Sequence, residues 1–229
     1  MGARNLTAVS VVIPVLNDAD ALSGLLRALQ HADLQVIVAD GGSSDASAQV
    51  AAAAGAELVR APRGRGPQLA AGAAAAQGRF LWLLHADSRL TAPASEYLRV
   101  IGSGDPAASW GRFDVAFDDA SPSLRMVATL MNWRSRATAV CTGDQGIYVA
   151  RALLQRVGGV PQQSLMEDIE LSKRLKISGG PRVEGPQLIT SARRWRAGGV
   201  WRTIVFMWWF RLRYWAGADP ERLAREYYL

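Results

Sequence analysis

The sequence predicts an α/β fold: a mostly parallel central sheet flanked by helices. Three observations carry this. Four apolar runs, at 9–16, 34–39, 57–61 and 80–84, alternate with helix-compatible segments. Their connections are short, which brings each strand back beside its neighbour through a right-handed crossover. The run at 80–84 (FLWLL) has no polar position, as expected of a strand buried on both faces. At 229 residues, with no linker-like stretch, the chain reads as one domain. Its parts are a nucleotide-binding half at about 8–90, an acceptor half at 91–192, and basic aromatic helices at 193–229.

Residues 9–16 (VSVVIPVL) form the first strand, with Pro14 near its end, where a missing N–H is tolerable. Asn17 or Asp18 is placed to cap the next helix, whose Leu22, Leu25, Leu26 and Leu29 fall on one face. The second strand (LQVIVA) ends in Asp40-Gly41-Gly42-Ser43-Ser44-Asp45, and the helix at 45–54 stops at Gly55. After a third strand at 57–61 come the basic loop 63–68 (RGRGPQ), an Ala-rich helix closed by Gly78, and the fourth strand. Beyond it, 110–117 (WGRFDVAF) alternates as a strand and 123–140 is helix-like. A short strand at 147–149 follows. Another helix opens at Glu167-Asp168, with Leu171 and Leu175 on the face beneath. An aromatic helix at 200–216 and a terminal one from Pro220 finish the chain.

A single Cys rules out an intrachain disulfide and suits a reducing compartment. The start MGARN carries no signal-peptide apolar region, so a cytoplasmic location is expected. A net charge of +6 invites an acidic partner, and residues 185–218 hold six Arg, five Trp and no acid. No nucleic-acid module is present. The first strand–helix turn, 14–19 (PVLNDA), lacks any glycine, and no P-loop occurs elsewhere. That argues against dinucleotide oxidoreductases and P-loop ATPases.

Acidic residues stand instead at strand ends: Asp40, Asp87 and the pair Glu167-Asp168. Ligands of open α/β sheets bind beyond those ends. Mg²⁺ or Mn²⁺ is held there by one or two carboxylates plus substrate phosphate oxygens. Local alternatives are ordinary. Asp87 can cap a helix starting near Ala92 or a turn with Ser88, Asp40 and Asp45 can hold turns, and acids suit a helix's first turn. Gly64-Arg65-Gly66 with Gln68 reads as a phosphate or base contact, or as a basic surface loop. Asp144-Gln145, between glycines, reads as an acceptor or sugar-hydroxyl contact, or a plain turn. Cys141 reads as a small buried residue and His31 as solvent-facing.

Taken in order, VSVVIPVLND, VIVADGGSSD, HAD (85–87) and MED (166–168) resemble glycosyltransferase family 2, the inverting enzymes of GT-A fold. The resemblance spans about 8–178. LHADSRL, GDQGI, MEDIEL and ARRW bring the chain closer to a small bacterial subgroup named after neighbouring radical-SAM and selenium-related proteins. It implies a GT-A three-layer sandwich with a C-terminal helical segment, and sugar transfer from a nucleotide-sugar, foremost a UDP-sugar, to an unidentified acceptor. It also implies roles. Asp40 contacts the base, Pro14 and Asn17 shape the nucleotide pocket, Asp87 holds the metal, and Asp168, beside Glu167, is the general base. His85 stands where the family's D-x-D has its first Asp, followed by Ala86; His85 would touch the donor's ribose or phosphate or simply pack, and Ala86 would lie at the donor. Gly41 replaces a common acid. Arg193, Arg194 and Arg196 are candidate donors to the leaving diphosphate. Arg194-Trp195 matches the end of a processive motif whose Gln is Ser191 here, so processivity is not expected. The rivals are a nucleotidyltransferase of similar architecture and a nucleotide-sugar-binding protein that has lost activity.

The helix at 200–216 is broken by Arg202, Arg211 and Arg213; its longest apolar run, 204–210, is far short of the roughly 18–20 residues a membrane span needs. Three readings stand: a core helix, an interfacial helix on an anionic membrane, and a homodimer contact.

Overall fold

The computed structural model describes residues 8–227. The parallel half alternates β1 (Val9–Val15), α1 (Ala19–Leu29), β2 (Gln35–Asp40), α2 (Ser47–Ala53), β3 (Glu57–Arg60), α3 (Arg65–Ala75) and β4 (Phe80–Leu83). Then come β5 (Arg89–Leu90), α4 (Ala94–Gly102), β6 (Trp110–Arg112), β7 (Val115–Phe117) and α5 (Pro122–Thr138). The 3-10 turn Gly143–Gln145 leads to β8 (Tyr148–Ala150), α6 (Arg151–Arg156) and α7 (Glu167–Leu175). The chain closes with β9 (Arg182–Val183), β10 (Leu188–Thr190), α8 (Arg193–Gly198), α9 (Val200–Trp215) and α10 (Pro220–Tyr227).

The main sheet has the order β3-β2-β1-β4-β8-β6-β9, and a small sheet has the order β5-β10-β7. β1 to β4 run parallel, as the short crossovers require, whereas β8 is antiparallel to both β4 and β6. Every residue of β1 is buried. Pro14 costs nothing there because β1 pairs with β4 only as far as Val12 and Leu83. Leu22, Leu25, Leu26 and Leu29 of α1 are all buried, as their spacing predicts. Under β4, Trp82, Tyr97, Phe113 and Tyr148 form an aromatic cluster with centroids 4.9–5.6 Å apart.

Several expectations are corrected. Neither Asn17 nor Asp18 caps α1; the Ala19 N–H donates to Asp45 Oδ2 at 3.0 Å instead. The stretch 63–68 is not all loop, since α3 begins at Arg65. Pro67 falls in its first turn, where its absent N–H would have had no helical partner. Residues 110–117 are two strands in different sheets. Between them the Arg112 side chain turns inward, fully buried, donating to the Asn132 carbonyl at 3.0 Å and pairing with Asp114. Asp87 caps no helix, because α4 starts at Ala94 with Pro93 at its N-cap.

The C-terminal helices make a second, small core in which Leu165, Met166 and Ile169 meet Phe210, Leu223 and Ala224. Of α9, only Thr203 and Phe210 are buried. The core-helix reading therefore fails: Trp201, Trp208, Trp209 and Trp215 are all more than half exposed. No helix among the described residues is long and apolar enough to cross a membrane.

Candidate active site

A cleft of about 770 Å³ opens at the carboxyl ends of β1 and β4. Its floor is the segment after β4, where the chain leaves the sheet and presents His85, Ala86 and Asp87. Pro14 and Asp18 come from β1 and the turn after it, and Arg65 and Gln68 from the first turn of α3. Asp144 and Asp168 face them from the second half, and α8 and α9 supply Arg193, Arg194, Trp195 and Arg211.

Asp87 is half-buried and has no hydrogen bond or ion pair among the described residues. Burial pushes its carboxyl pKa up, while His85 and Arg193 oppose that. Such a carboxylate is costly unless a cation joins it. A lone carboxylate suits an Mg²⁺ or Mn²⁺ ion whose remaining ligands are substrate phosphate oxygens and water. His85 is differently engaged. Its Nδ1 lies 3.3 Å from Asp144 Oδ1, and its Nε2 rests on Gly143, where an added Cβ would come within 2.2 Å. Burial lowers the His85 pKa, but the hydrogen bond and charge of Asp144, with Asp87, outweigh burial and leave it raised. Asp144 answers in kind. Burial works against its ionisation, yet His85, Arg65 and the Thr190 hydroxyl hold its pKa at about 2.

Asp168 opens α7 at the cleft. The Gly143 N–H donates to its Oδ2 at 3.0 Å and the Ile169 N–H to its Oδ1 at 2.8 Å, which fixes the carboxylate. Glu167, next to it, points the other way. Only 1% exposed, it pairs with Arg65 Nε at 3.1 Å and ties α7 to α3. Burial raises its pKa against the pull of Arg65. This places Glu167 in the link between α7 and α3 and outside the lining of the main cleft.

Other candidates move from contact to support. Gln145 is fully buried; its amide donates to the Ser135 hydroxyl at 3.0 Å and its Oε1 accepts from the Thr142 N–H at 3.1 Å. It builds the turn that carries Gly143 and Asp144, so it is not an acceptor contact in this conformation. Gln68 lines the cleft, but its amide nitrogen donates to the carbonyls of Val15 (2.7 Å) and Ala39 (2.8 Å). It also bears on Gly41: a Cβ there would lie 2.9 Å from the Gln68 side chain, so a larger residue would displace Gln68 from its two carbonyl partners. Asp40 and Asn17 stand off the cleft wall. Asp40 Oδ1 accepts from the N–H and hydroxyl of Ser43, and Asn17 Oδ1 accepts from the Ser44 N–H at 2.7 Å. They lace the turn after β1 to the turn after β2.

Arg193 reaches across the mouth to Asp18 with two hydrogen bonds, 3.0 and 2.7 Å. Arg194 lies over the Tyr227 ring at 4.8 Å, and Trp195 packs edge-on against Phe117. Arg196 is committed to Asp118 and Asp119, away from the cleft. Cys141 is buried, its thiol pushed up to about 12 by burial, and serves as core.

Two residues that pattern reading passed over also belong here: Arg211 on the cleft wall, and Arg134, which shares its electrostatic environment with Arg211 and Asp168. In sequence Arg211 only interrupts an apolar run, and Arg134 is one of several helix arginines.

The profile of Glycosyl transferase family 2 matches residues 10–152, more than half of the chain. The chain belongs to that family. An uncharacterized glycosyltransferase of Mycobacterium tuberculosis is 27% identical over 201 residues, covering 82% of this chain and 92% of its own length. The fold is GT-A-like, matched by two ligand-bound enzymes. One is a mannosyltransferase of Pyrobaculum calidifontis in complex with GDP-Man and Mn²⁺ (TM-score 0.65, 19% identical, 95% of this chain and 68% of that one). The other is the glucosyl-3-phosphoglycerate synthase of M. tuberculosis in complex with Mn²⁺, UDP and glucosyl-3-phosphoglycerate (TM-score 0.60, 20% identical, 87% and 77%). The chain spans 65% of a further mycobacterial structure, 20% identical, at TM-score 0.58.

Proposed function

We propose that the protein transfers a sugar from a nucleoside-diphosphate sugar to an acceptor hydroxyl with inversion. The observation that carries this is that Asp87 and Asp168 line one cleft, the first without a partner among the described residues and the second held by two backbone N–H groups. Asp168 takes the acceptor proton as the oxygen attacks the anomeric carbon, and the nucleoside diphosphate leaves toward Asp87. A divalent cation held by Asp87 would neutralise charge developing on the departing diphosphate. Arg193 and Arg194 line the same end and add positive potential. Asp40 and Asn17 are assigned to the base-side turn, with Pro14, Ala86, Arg65 and His85 shaping the donor pocket. The two ligand-bound neighbours, one with GDP-Man and one with UDP, support a UDP- or GDP-sugar and Mn²⁺, with UDP the first to test. The motifs LHADSRL, GDQGI, MEDIEL and ARRW support membership of the radical-SAM-associated subgroup.

Thermal shift tests the reading, because binding free energy adds to stability. UDP or GDP with Mn²⁺ is expected to raise Tm more than NAD or ATP does. Asp87→Ala is expected to lose the Mn²⁺-dependent part of that shift. A shift with NAD and none with a nucleoside diphosphate would overturn the proposal.

The location follows from α9, and we propose peripheral contact with an anionic membrane. Trp201, Val205, Trp208, Leu212 and Trp215 recur at i, i+4, i+7, i+11 and i+14, each more than half exposed. Arg193, Arg196 and Arg213 are held by Asp18, Asp118 and Glu226, whereas the exposed Arg202 on α9 has no ion pair among the described residues and complements anionic headgroups better than a second copy of the same helix. Each Arg near such a surface adds about 1 kcal/mol, screened over roughly 8–10 Å at physiological salt. Co-sedimentation with phosphatidylglycerol vesicles is expected to weaken with salt and to fall in Trp208→Ala/Trp209→Ala. No binding at low salt, with sedimentation as a dimer, would assign the stripe to a second copy instead.

A further inference from the structure

Arg134 and Arg211 are an unresolved electrostatic problem beside the proposed base. The Nε and Nη2 of Arg134 and the Nε of Arg211 are buried and have no hydrogen-bond partner among the described residues. Neither guanidinium forms an ion pair there, although ten other arginines do so among the described residues. Both oxygens of Asp168, the acid within electrostatic reach of both, already accept backbone N–H groups. Burial pulls the Arg134 pKa down to about 10, with the charge of Arg211 adding and that of Asp168 opposing. Burial likewise lowers Arg211, against Asp168 and Asp144. A buried donor left unmade costs more than a made hydrogen bond gains, and a buried cation costs more still. Two such groups side by side call for an anion that the protein itself does not provide.

The position says which ligand carries it. Asp87 is influenced by Arg193 and Asp18, at the donor end, and not by Arg211 among its main neighbours. Arg211 is influenced by Asp168 and Asp144. Two sets stand out among the cleft's arginines: Arg193, tied to Asp18 by two hydrogen bonds and within electrostatic reach of Asp87, and Arg211, with Arg134 in support, within electrostatic reach of Asp168. The first set suits the diphosphate. The second stands where the acceptor hydroxyl must meet its base.

We propose that the acceptor carries a phosphate group, bound by Arg211 next to Asp168, with Arg134 acting as a positioning charge behind it. A tetrahedral oxyanion suits the site because it offers several acceptor oxygens to guanidinium donors. The proposal rests on the transferase reading and narrows its substrate class. A phosphate on a water-soluble molecule and one on a lipid headgroup share this recognition chemistry.

The test holds the donor end occupied. With UDP and Mn²⁺ at saturation, added inorganic phosphate is expected to raise Tm of the wild-type protein further. Arg211→Met is expected to respond to UDP and Mn²⁺ as wild type does, which doubles as proof of folding, but to lose the phosphate increment. Its apparent phosphate affinity should fall by about tenfold or more. Arg211→Lys, which keeps the charge without the fork, should fall between the two. In phosphate-free buffer Arg211→Met should melt higher than wild type, since an uncompensated buried cation is gone. Vesicles containing phosphatidic acid, in place of free phosphate, separate the sources: an Arg211-dependent increment from vesicles alone assigns the lipid, and one from free phosphate assigns the soluble acceptor. If UDP and Mn²⁺ stabilise the protein but neither phosphate source adds an increment, or Arg211→Met keeps it, the proposal is wrong while the transferase reading stands. If UDP and Mn²⁺ have no effect, it is the transferase reading that fails.

Discussion

Asp168→Asn is expected to reduce turnover by about 10²–10⁴-fold, the usual contribution of a general base, while leaving UDP and Mn²⁺ binding in place. The reason lies in how the carboxylate is held. Its Oδ2 accepts from the Gly143 N–H and its Oδ1 from the Ile169 N–H. Asn has nearly the same shape and keeps a carbonyl oxygen for one of these bonds, so the turn bearing Asp144 should stay where it is. What disappears is the negative charge and the capacity to accept a proton. Removing that charge also leaves Arg134 and Arg211 facing each other with less compensation. A modest loss of Tm in the absence of phosphate should accompany the kinetic loss. Release of nucleoside diphosphate from the donor measures turnover, and thermal shift measures donor binding. Near-full activity in the variant would remove Asp168 from its role. An equal loss of donor affinity in Asp168→Asn and Asp87→Ala would show that the two acids do not divide the work as proposed.

The fold was largely legible because its signals are local. The leucines of α1, Leu171 and Leu175 of α7, and the left-handed Gly55 each report on their own element, and all lie where their spacing puts them. The division at 112–114 was not legible. An Arg in an alternating stretch reads as an outward-facing polar residue, whereas Arg112 is turned inward by Asn132, twenty residues along. The site divides in the same way. Strand ends and motif order single out Asp87 and Asp168, and both line the cleft. Glu167 and Gln145, candidates by adjacency, are buried off the cleft, because adjacency to a reactive residue says nothing about which way a side chain points. On α7 successive residues lie about 100° apart, enough to put Asp168 in the cleft and Glu167 in the interior. Arg134 and Arg211 come from α5 and α9, some 77 positions apart, and their shared environment is a product of tertiary packing alone.

Arg65→Ala is expected to be the most destabilising single change in the site. It removes the partner of Glu167, a carboxylate only 1% exposed. Breaking a buried ion pair from one side typically costs about 3–5 kcal/mol, because the remaining charge is buried and uncompensated. The Arg65 side chain is itself 30% exposed, so some water can follow its removal and the lower end of that range is expected. The pH dependence fixes the cause. Burial already raises the Glu167 pKa above its ordinary 4.5, with Asp168 adding to the rise and Arg65 opposing it. An acid raised in the folded state binds protons more tightly there than in the unfolded chain. Its contribution is present below the unfolded value and is lost as pH rises through the folded one. Without Arg65 the folded value climbs further, so the deficit relative to wild type should widen as pH rises through the wild type's folded value, itself above 4.5, and close below it. Glu167→Gln, which removes the charge, should flatten this dependence, and the double variant Arg65→Ala/Glu167→Gln should recover much of the lost stability. Urea unfolding between pH 4 and pH 8 measures all four proteins. A deficit that does not change with pH, or a double variant as unstable as Arg65→Ala alone, would mean that Arg65 stabilises α3 through packing and that the link to α7 carries little.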